Sequence, residues 1–147
     1  MFDRQIQNFT QKPLIIIAKV FLKFLKPNQM TILGFILGFF MCILIFFQFY
    51  LAALALLILN RFCDGLDGTM ARLTTPTPLG GYLDIVSDFT IYSGFILAFG
   101  FSNSSYIYLS MVLLFLYIGT GTTFLAKAAI QTQLDRISET NDTIEEL

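Results

Sequence analysis

Asp64-Gly65-Leu66-Asp67-Gly68-Thr69-Met70-Ala71-Arg72 is followed, after the spacer 73–79, by Gly80-Gly81-Tyr82-Leu83-Asp84-Ile85-Val86-Ser87-Asp88. The two runs set four carboxylates in segments otherwise apolar enough to lie in a bilayer. A charged side chain at the bilayer centre costs about 2.5–3.5 kcal/mol even on the most lenient scale. Four such residues call for a ligand, and divalent cations are the first candidate.

At 100° per residue, Asn60, Arg61, Asp64, Asp67, Gly68 and Ala71 project from one side of a helix. Asp84 and Asp88, four residues apart, share a face of the next. A short loop marked by Pro76 and Pro78 joins the two helices, so they are expected to be antiparallel neighbours with converging acidic faces. Carboxylates are hard oxygen ligands suited to Mg2+, Mn2+ or Ca2+, and a chain without histidine or a thiolate cluster disfavours zinc. Four carboxylates can hold one or two such ions. Gly68 and Ala71 leave the helix surface bare, which lets a bulky ligand approach the backbone, although small residues also serve helix packing in membranes. Metal, small-residue platform and Arg72 together fit phosphate chemistry, with one carboxylate as general base. Asp88, the last of the array, is the expected base.

Outward from this array the chain reads as an all-α integral membrane protein. Of its 147 residues 56% are hydrophobic and 17 are Phe, above the roughly 45–50% apolar content of soluble domains. A net charge of −1 argues against nucleic acid as a partner. The polar start, Asp3 to Lys12, lacks the pattern of a signal peptide, so nothing is expected to be removed. Residues 13–25 have a proline at the helix start and Lys19, Lys23 and Lys26 beside Ile15, Ile16, Val20, Phe21 and Phe24, the pattern of an amphipathic helix along the membrane surface. About four membrane helices follow, over 30–47, 51–73, 80–101 and 106–130. The expected organisation is a cytoplasmic segment 1–27 with the interfacial helix, a membrane domain 28–130 and a cytoplasmic acidic tail 131–147. Lysines and arginines, including Arg4 and Lys12, fall on one side and the opposite turns are uncharged, which puts the aspartates at the cytoplasmic end. Cys42 and Cys63 are expected to act as small hydrophobes.

The two runs resemble the signature of the CDP-alcohol phosphatidyltransferase family, D-x-x-D-G-x-x-A-R followed by G-x-x-x-D-x-x-x-D, with every signature residue present. The resemblance implies that Asp64, Asp67, Asp84 and Asp88 hold two divalent ions, Mg2+ or Mn2+. It implies that Asp64, Asp67, Gly68, Ala71 and Arg72 contribute to the nucleotide site and that Asp88 also deprotonates the acceptor. CDP-diacylglycerol or a related CDP-alcohol and a small alcohol acceptor would give a phosphatidyl alcohol and CMP. Pro27-Asn28-Gln29-Met30-Thr31 looks like the family's Pro-Asn-x-x-Thr segment, which brings Asn28 and Thr31 to the nucleotide. The resemblance covers about residues 14 to 130 and implies a homodimer in a bacterial or archaeal cytoplasmic membrane, its site facing the cytoplasm.

Two departures stand beside it. The spacer is seven residues where the family commonly has eight. The family usually has six membrane helices against the four read here. The chain is therefore expected to be either a short enzyme completed by a partner or a CDP-lipid- and metal-binding protein without a complete acceptor site. Lys127 is placed either to hold an acceptor phosphate or to snorkel to the interface. An intramembrane prenyltransferase using acidic motifs, and a cation-conducting protein, are the other classes an Asp-rich membrane site admits. Neither accounts for the Gly68, Ala71 and Arg72 platform. Gly94, Gly119 and Gly121 are expected to serve helix packing, with dimerisation implied only by the resemblance.

Overall fold

Two prolines open the helices that carry the site. Pro27 begins one, where a missing N–H costs nothing, and the Gln29 side chain caps the Lys26 backbone N–H at 2.8 Å. Pro78 begins another, and the Thr77 hydroxyl accepts from the Gly80 N–H at 3.0 Å. The structure, a computed structural model, describes residues 13–145, with side chains described to 137. The polar stretch containing Arg4 and Lys12 and the side chains of the tail from 138 onward lie outside the described residues.

The elements are α1 (13–21), α2 (Pro27–Phe46), α3 (Tyr50–Leu73), α4 (Pro78–Ser102), a 3-10 turn (Ser104–Tyr106) and α5 (Ile107–Glu145). The fold is all-α, without strands among the described residues. Three stretches, α2, α4 and Ser104–Ile137, are long and apolar enough to cross a membrane. The 24 residues of α3 also have spanning length, about 36 Å, but Arg61, Asp64, Asp67 and Arg72 lower its hydropathy. The expectation of an all-α membrane protein is borne out, and of the four expected spans three meet that length and apolarity, α3 falling short for its charges.

α1 turns Leu14, Ile17, Ala18 and Phe21 onto Met30, Cys63, Leu66 and Met70 of α2 and α3. Its exposed half divides into an apolar stripe, Ile16 and Val20, and a basic edge at Lys19, continued by Lys23 in the turn that follows, which suits a helix lying at the headgroup level.

α2 is the centre of the bundle. Its buried residues Met30, Gly34, Gly38, Met41 and Ile45 recur every three or four positions. A Cβ at Gly34 would lie 3.2 Å from Cys63 Cβ, and one at Gly38 would lie 2.8 Å from Ile91 Cδ1, so the two glycines admit α3 and α4 on neighbouring sides. α2 packs on both α3 and α4, and α4 packs on α5, but α3 and α4 barely approach each other. The expected direct pairing of α3 with α4 is thus replaced by packing through α2, because its glycines bring both helices onto it. A crevice is left between the two acidic faces.

At the other end of the bundle Gln48 takes φ 64° at the end of α2, and its side chain donates to the Ser102 carbonyl at 2.6 Å. Tyr50 stacks on Phe99 with centroids 5.8 Å apart. These contacts tie the α2–α3 turn to the end of α4. Gly121 admits Phe89 of α4, and Gly94 faces Cys42 Sγ, whereas Gly119 meets nothing. α5 is 39 residues and continues past the expected end near Ile130. No glycine or proline follows Gly121, and Gln131 donates to Asp135 one turn on at 2.9 Å.

Candidate active site

The crevice between α3 and α4 collects the carboxylates. One oxygen each from Asp64, Asp84 and Asp88 lies within 4.8 Å of the other two. Helical spacing places Asp84 and Asp88 one above the other on α4, and Asp64 reaches toward them from α3. Thr31, Asn60, Arg61, Asp64, Asp67, Asp84 and Asp88 are among the residues lining this crevice. Asp67 sits deeper, 5% exposed, and its Oδ2 has no hydrogen-bond partner. A buried carboxylate oxygen without a donor is costly unless a ligand satisfies it.

Beside the crevice opens a cavity of about 700 Å3. Asn28, Thr31, Asp67, Gly68, Ala71 and Arg72 line it, with Asp84 at the boundary. Thr31, Asp67 and Asp84 line both spaces, so the cavity and the crevice adjoin. Gly80 lets the start of α4 close on the start of α2, since a Cβ there would lie 3.0 Å from Asn28 Oδ1. Arg72 lies over Gly68 and donates to Thr69 Oγ1 at 3.2 Å. Lys26 lines the same cavity, giving it two cationic side chains.

The structure thus brings Asn28, Thr31, Asp67, Gly68, Ala71 and Arg72 around one cavity and Asp64, Asp84 and Asp88 into one cluster. Asp64 and Asp88 line the crevice and not the cavity. Lys127 is exposed and lines neither, and none of the α5 residues described does.

Three residues have a part in the site that the sequence reading left without a role. Arg61 pairs with Asp88 at 2.9 Å and with Asp64 at 3.5 Å. Asn60 accepts from Arg61 Nε at 3.0 Å and donates to the Gly34 carbonyl at 2.8 Å. The Tyr92 hydroxyl accepts from Arg61 Nη1 at 2.7 Å. The signal was in the spacing, because Arg61 stands one turn before Asp64 and Tyr92 one turn after Asp88.

An α-helical membrane protein with this acidic crevice beside a cavity has counterparts among known proteins. The profile of the CDP-alcohol phosphatidyltransferase family matches residues 24–140. The chain belongs to the CDP-alcohol phosphatidyltransferase family. It is 43% identical over 110 residues to inner membrane protein YnjF of Escherichia coli (strain K12), a match covering 72% of this chain and 52% of that protein. It is also 43% identical over 63 residues to the bifunctional IPC transferase and DIPP synthase of Aquifex aeolicus (strain VF5), covering 42% of this chain and 14% of that protein. The chain therefore spans about half the length of the first relative and a small part of the second.

Proposed function

We propose that this protein transfers a phosphatidyl group from CDP-diacylglycerol, or a related CDP-alcohol, to a small alcohol with release of CMP. The observation that carries the reading is the adjoining of the 700 Å3 cavity, with its Gly68 and Ala71 wall, to the carboxylate crevice through Thr31, Asp67 and Asp84. Asn28, Thr31, Gly68, Ala71 and Arg72 would receive the cytidine nucleotide in the cavity, its diphosphate end turned toward Asp67 and, in the adjoining crevice, Asp64.

The donor set fits divalent ions, being all carboxylate, clustered within 4.8 Å and including a buried oxygen that lacks a partner. Asp64, Asp67, Asp84 and Asp88 would hold two ions, Mg2+ or Mn2+. When bound, the ions neutralise phosphate oxygens and the charge that develops on them. Asp88, its Oδ1 oriented by Arg61, takes the proton from the acceptor hydroxyl. The acceptor oxygen then forms a bond to the β-phosphorus as the bond from that phosphorus to the CMP oxygen breaks. Arg72 and Lys26 at the cavity supply positive charge to the diphosphate side.

Residues 28–130 would form the membrane domain in a cytoplasmic membrane of a bacterial or archaeal cell, with 1–27 and 131–147 and the site on the cytoplasmic side and a homodimer as the working form. The cationic residues Lys26 and Arg72 at one cavity support that orientation. Acceptor contacts by Lys127 would require α5 or a partner to move toward the crevice.

A second reading is favoured by one observation. None of the α5 residues described lines the cavity or the crevice, and the side chains of the Ser104–Ile137 span are mostly exposed, which leaves the acceptor side thinly enclosed. On that reading the protein binds CDP-lipid and metal without turnover. CMP release by purified protein in lipid with CDP-diacylglycerol, Mg2+ or Mn2+ and a panel of alcohols separates the two. Metal-dependent release supports the transferase, and metal-dependent binding without release supports the second reading.

A further inference from the structure

The divalent-ion site already contains a cation of the chain's own. Arg61 uses all three guanidinium nitrogens: Nε donates to Asn60 Oδ1 at 3.0 Å, Nη1 to the Tyr92 hydroxyl at 2.7 Å and to Asp64 Oδ2 at 3.5 Å, and Nη2 to Asp88 Oδ1 at 2.9 Å. Its guanidinium carbon also stands 4.9 Å from the Tyr92 ring centroid. Asn60 is itself 3% exposed and fixed to the Gly34 carbonyl at 2.8 Å. The line of contacts runs from the α2 backbone through Asn60 and Arg61 to Asp88 and Tyr92 on α4. A side chain tied at every nitrogen occupies a built position.

Two of the three clustered aspartates, Asp64 and Asp88, are the ones Arg61 holds. Three carboxylates this close repel one another, and the guanidinium offsets that repulsion at one edge of the cluster. An ion that binds at the same edge has to draw on the oxygens that Arg61 occupies.

We propose that Arg61 is a resident counter-cation of the divalent-ion site, which occupies oxygens of Asp64 and Asp88 and competes with incoming ions for them. The inference rests on the divalent-ion part of the function proposed above. Arginine suits the task because its planar fork reaches two carboxylates and a phenol together and never loses its charge. Lysine would keep the charge but not the fork. Arg72 provides an internal comparison, since it carries the same charge nearby but its hydrogen bond goes to Thr69.

The test is a titration of the full chain in lipid nanodiscs with Mn2+ alone, free ion being read by electron paramagnetic resonance. Wild type, Arg61→Gln, Arg61→Lys and Arg72→Gln are compared, with circular dichroism and size-exclusion profiles establishing that each is folded. Arg61→Gln is expected to bind Mn2+ about tenfold more tightly than wild type, Arg61→Lys to fall between, and Arg72→Gln to change by less than about threefold. Binding by Arg61→Gln equal to or weaker than wild type overturns the proposal, as does an equal gain in Arg72→Gln, which would reduce the effect to net charge. Where Arg61→Gln does not fold, Arg61→Lys decides by the same sign. This pattern of Mn2+ binding without CMP release for any alcohol leaves the role of Arg61 standing and overturns the transferase reading. No Mn2+ binding in any variant overturns both.

Discussion

Arg61 Nη2 donates to Asp88 Oδ1 at 2.9 Å, joining α3 to α4 across a gap that the two helices do not close by packing. The pair orients the carboxylate assigned here to take the acceptor proton. Asp88→Asn keeps the shape and the hydrogen-bond acceptor but cannot act as a base. CMP release is expected to fall by about 10²–10⁴-fold, the range of general-base catalysis, while CDP-diacylglycerol binding stays within about threefold. Radiolabelled CMP release and equilibrium binding check the two halves separately. A matching loss of binding would leave Asp88 its part as an ion ligand and remove it as the base.

Asp67 presents a buried Oδ2 without a partner at the junction of the cavity and the crevice. A ligand that satisfies it in the folded state stabilises that state by mass action, about 2.7 kcal/mol at one hundred times its dissociation constant. Mn2+ is therefore expected to raise the thermal midpoint of the wild type and a chelator to reverse the rise. Asp67→Asn should lose most of the rise, because the amide relieves the buried charge and binds a hard cation poorly. A rise of equal size in Asp67→Asn would remove Asp67 from the ion site.

Much of this arrangement was legible in the sequence. Spacings of three and four put Asp64 with Asp67 and Asp84 with Asp88, and the helices expected to start at 30 and 80 begin within a few residues of those positions, at Pro27 and Pro78. Helical periodicity describes one helix at a time, so it did not reveal that α2 wedges between α3 and α4. That depends on Gly34 and Gly38, whose missing side chains act only against Cys63 and Ile91, residues distant in sequence. The part of Arg61 was hidden for a related reason. Its spacing to Asp64 is local, but Asp88 and Tyr92 lie on another helix. The polar composition after Ile130 read as a tail, yet it contains good helix formers and no breaker, and α5 runs on through it.

Gly68 gives a test of the nucleotide cavity. A Cβ there would meet only Arg72, with Nη1 at 3.4 Å, an ordinary contact with a flexible exposed side chain. Gly68→Ala should therefore fold normally. Gly68→Leu would push its side chain into the cavity and is expected to raise KM for CDP-diacylglycerol about tenfold or more with the thermal midpoint little changed. Steady-state kinetics over donor concentration with a melting curve for each variant checks this. Equal KM values would show that the nucleotide does not use this wall.

The close approach of α2 and α4 at Gly38 sets the position of Asp88, because Ile91, which fills the space, follows it by three residues on α4. A Cβ at Gly38 would lie 2.8–2.9 Å from Cδ1, Cγ1 and Cγ2 of Ile91, and Ile91 is itself buried at 5% exposure. The side chain cannot yield by moving only its tip, since both branches are in contact. Gly38→Ala is expected to destabilise by about 1–3 kcal/mol, the usual cost of an overpacked core. Ile91→Ala should also destabilise, by about 2–5 kcal/mol, through the space it empties. In the double variant the new methyl enters that space. The two losses should then fall short of adding by about 0.5–3 kcal/mol, the range for residues in contact. Unfolding in mixed detergent micelles gives the cycle. CMP release should track it, falling in Gly38→Ala as α4 is pushed off α2 and recovering in part in the double variant. Additive stabilities would mean that the two helices do not meet at this pair, and the crevice would then need another account of its width.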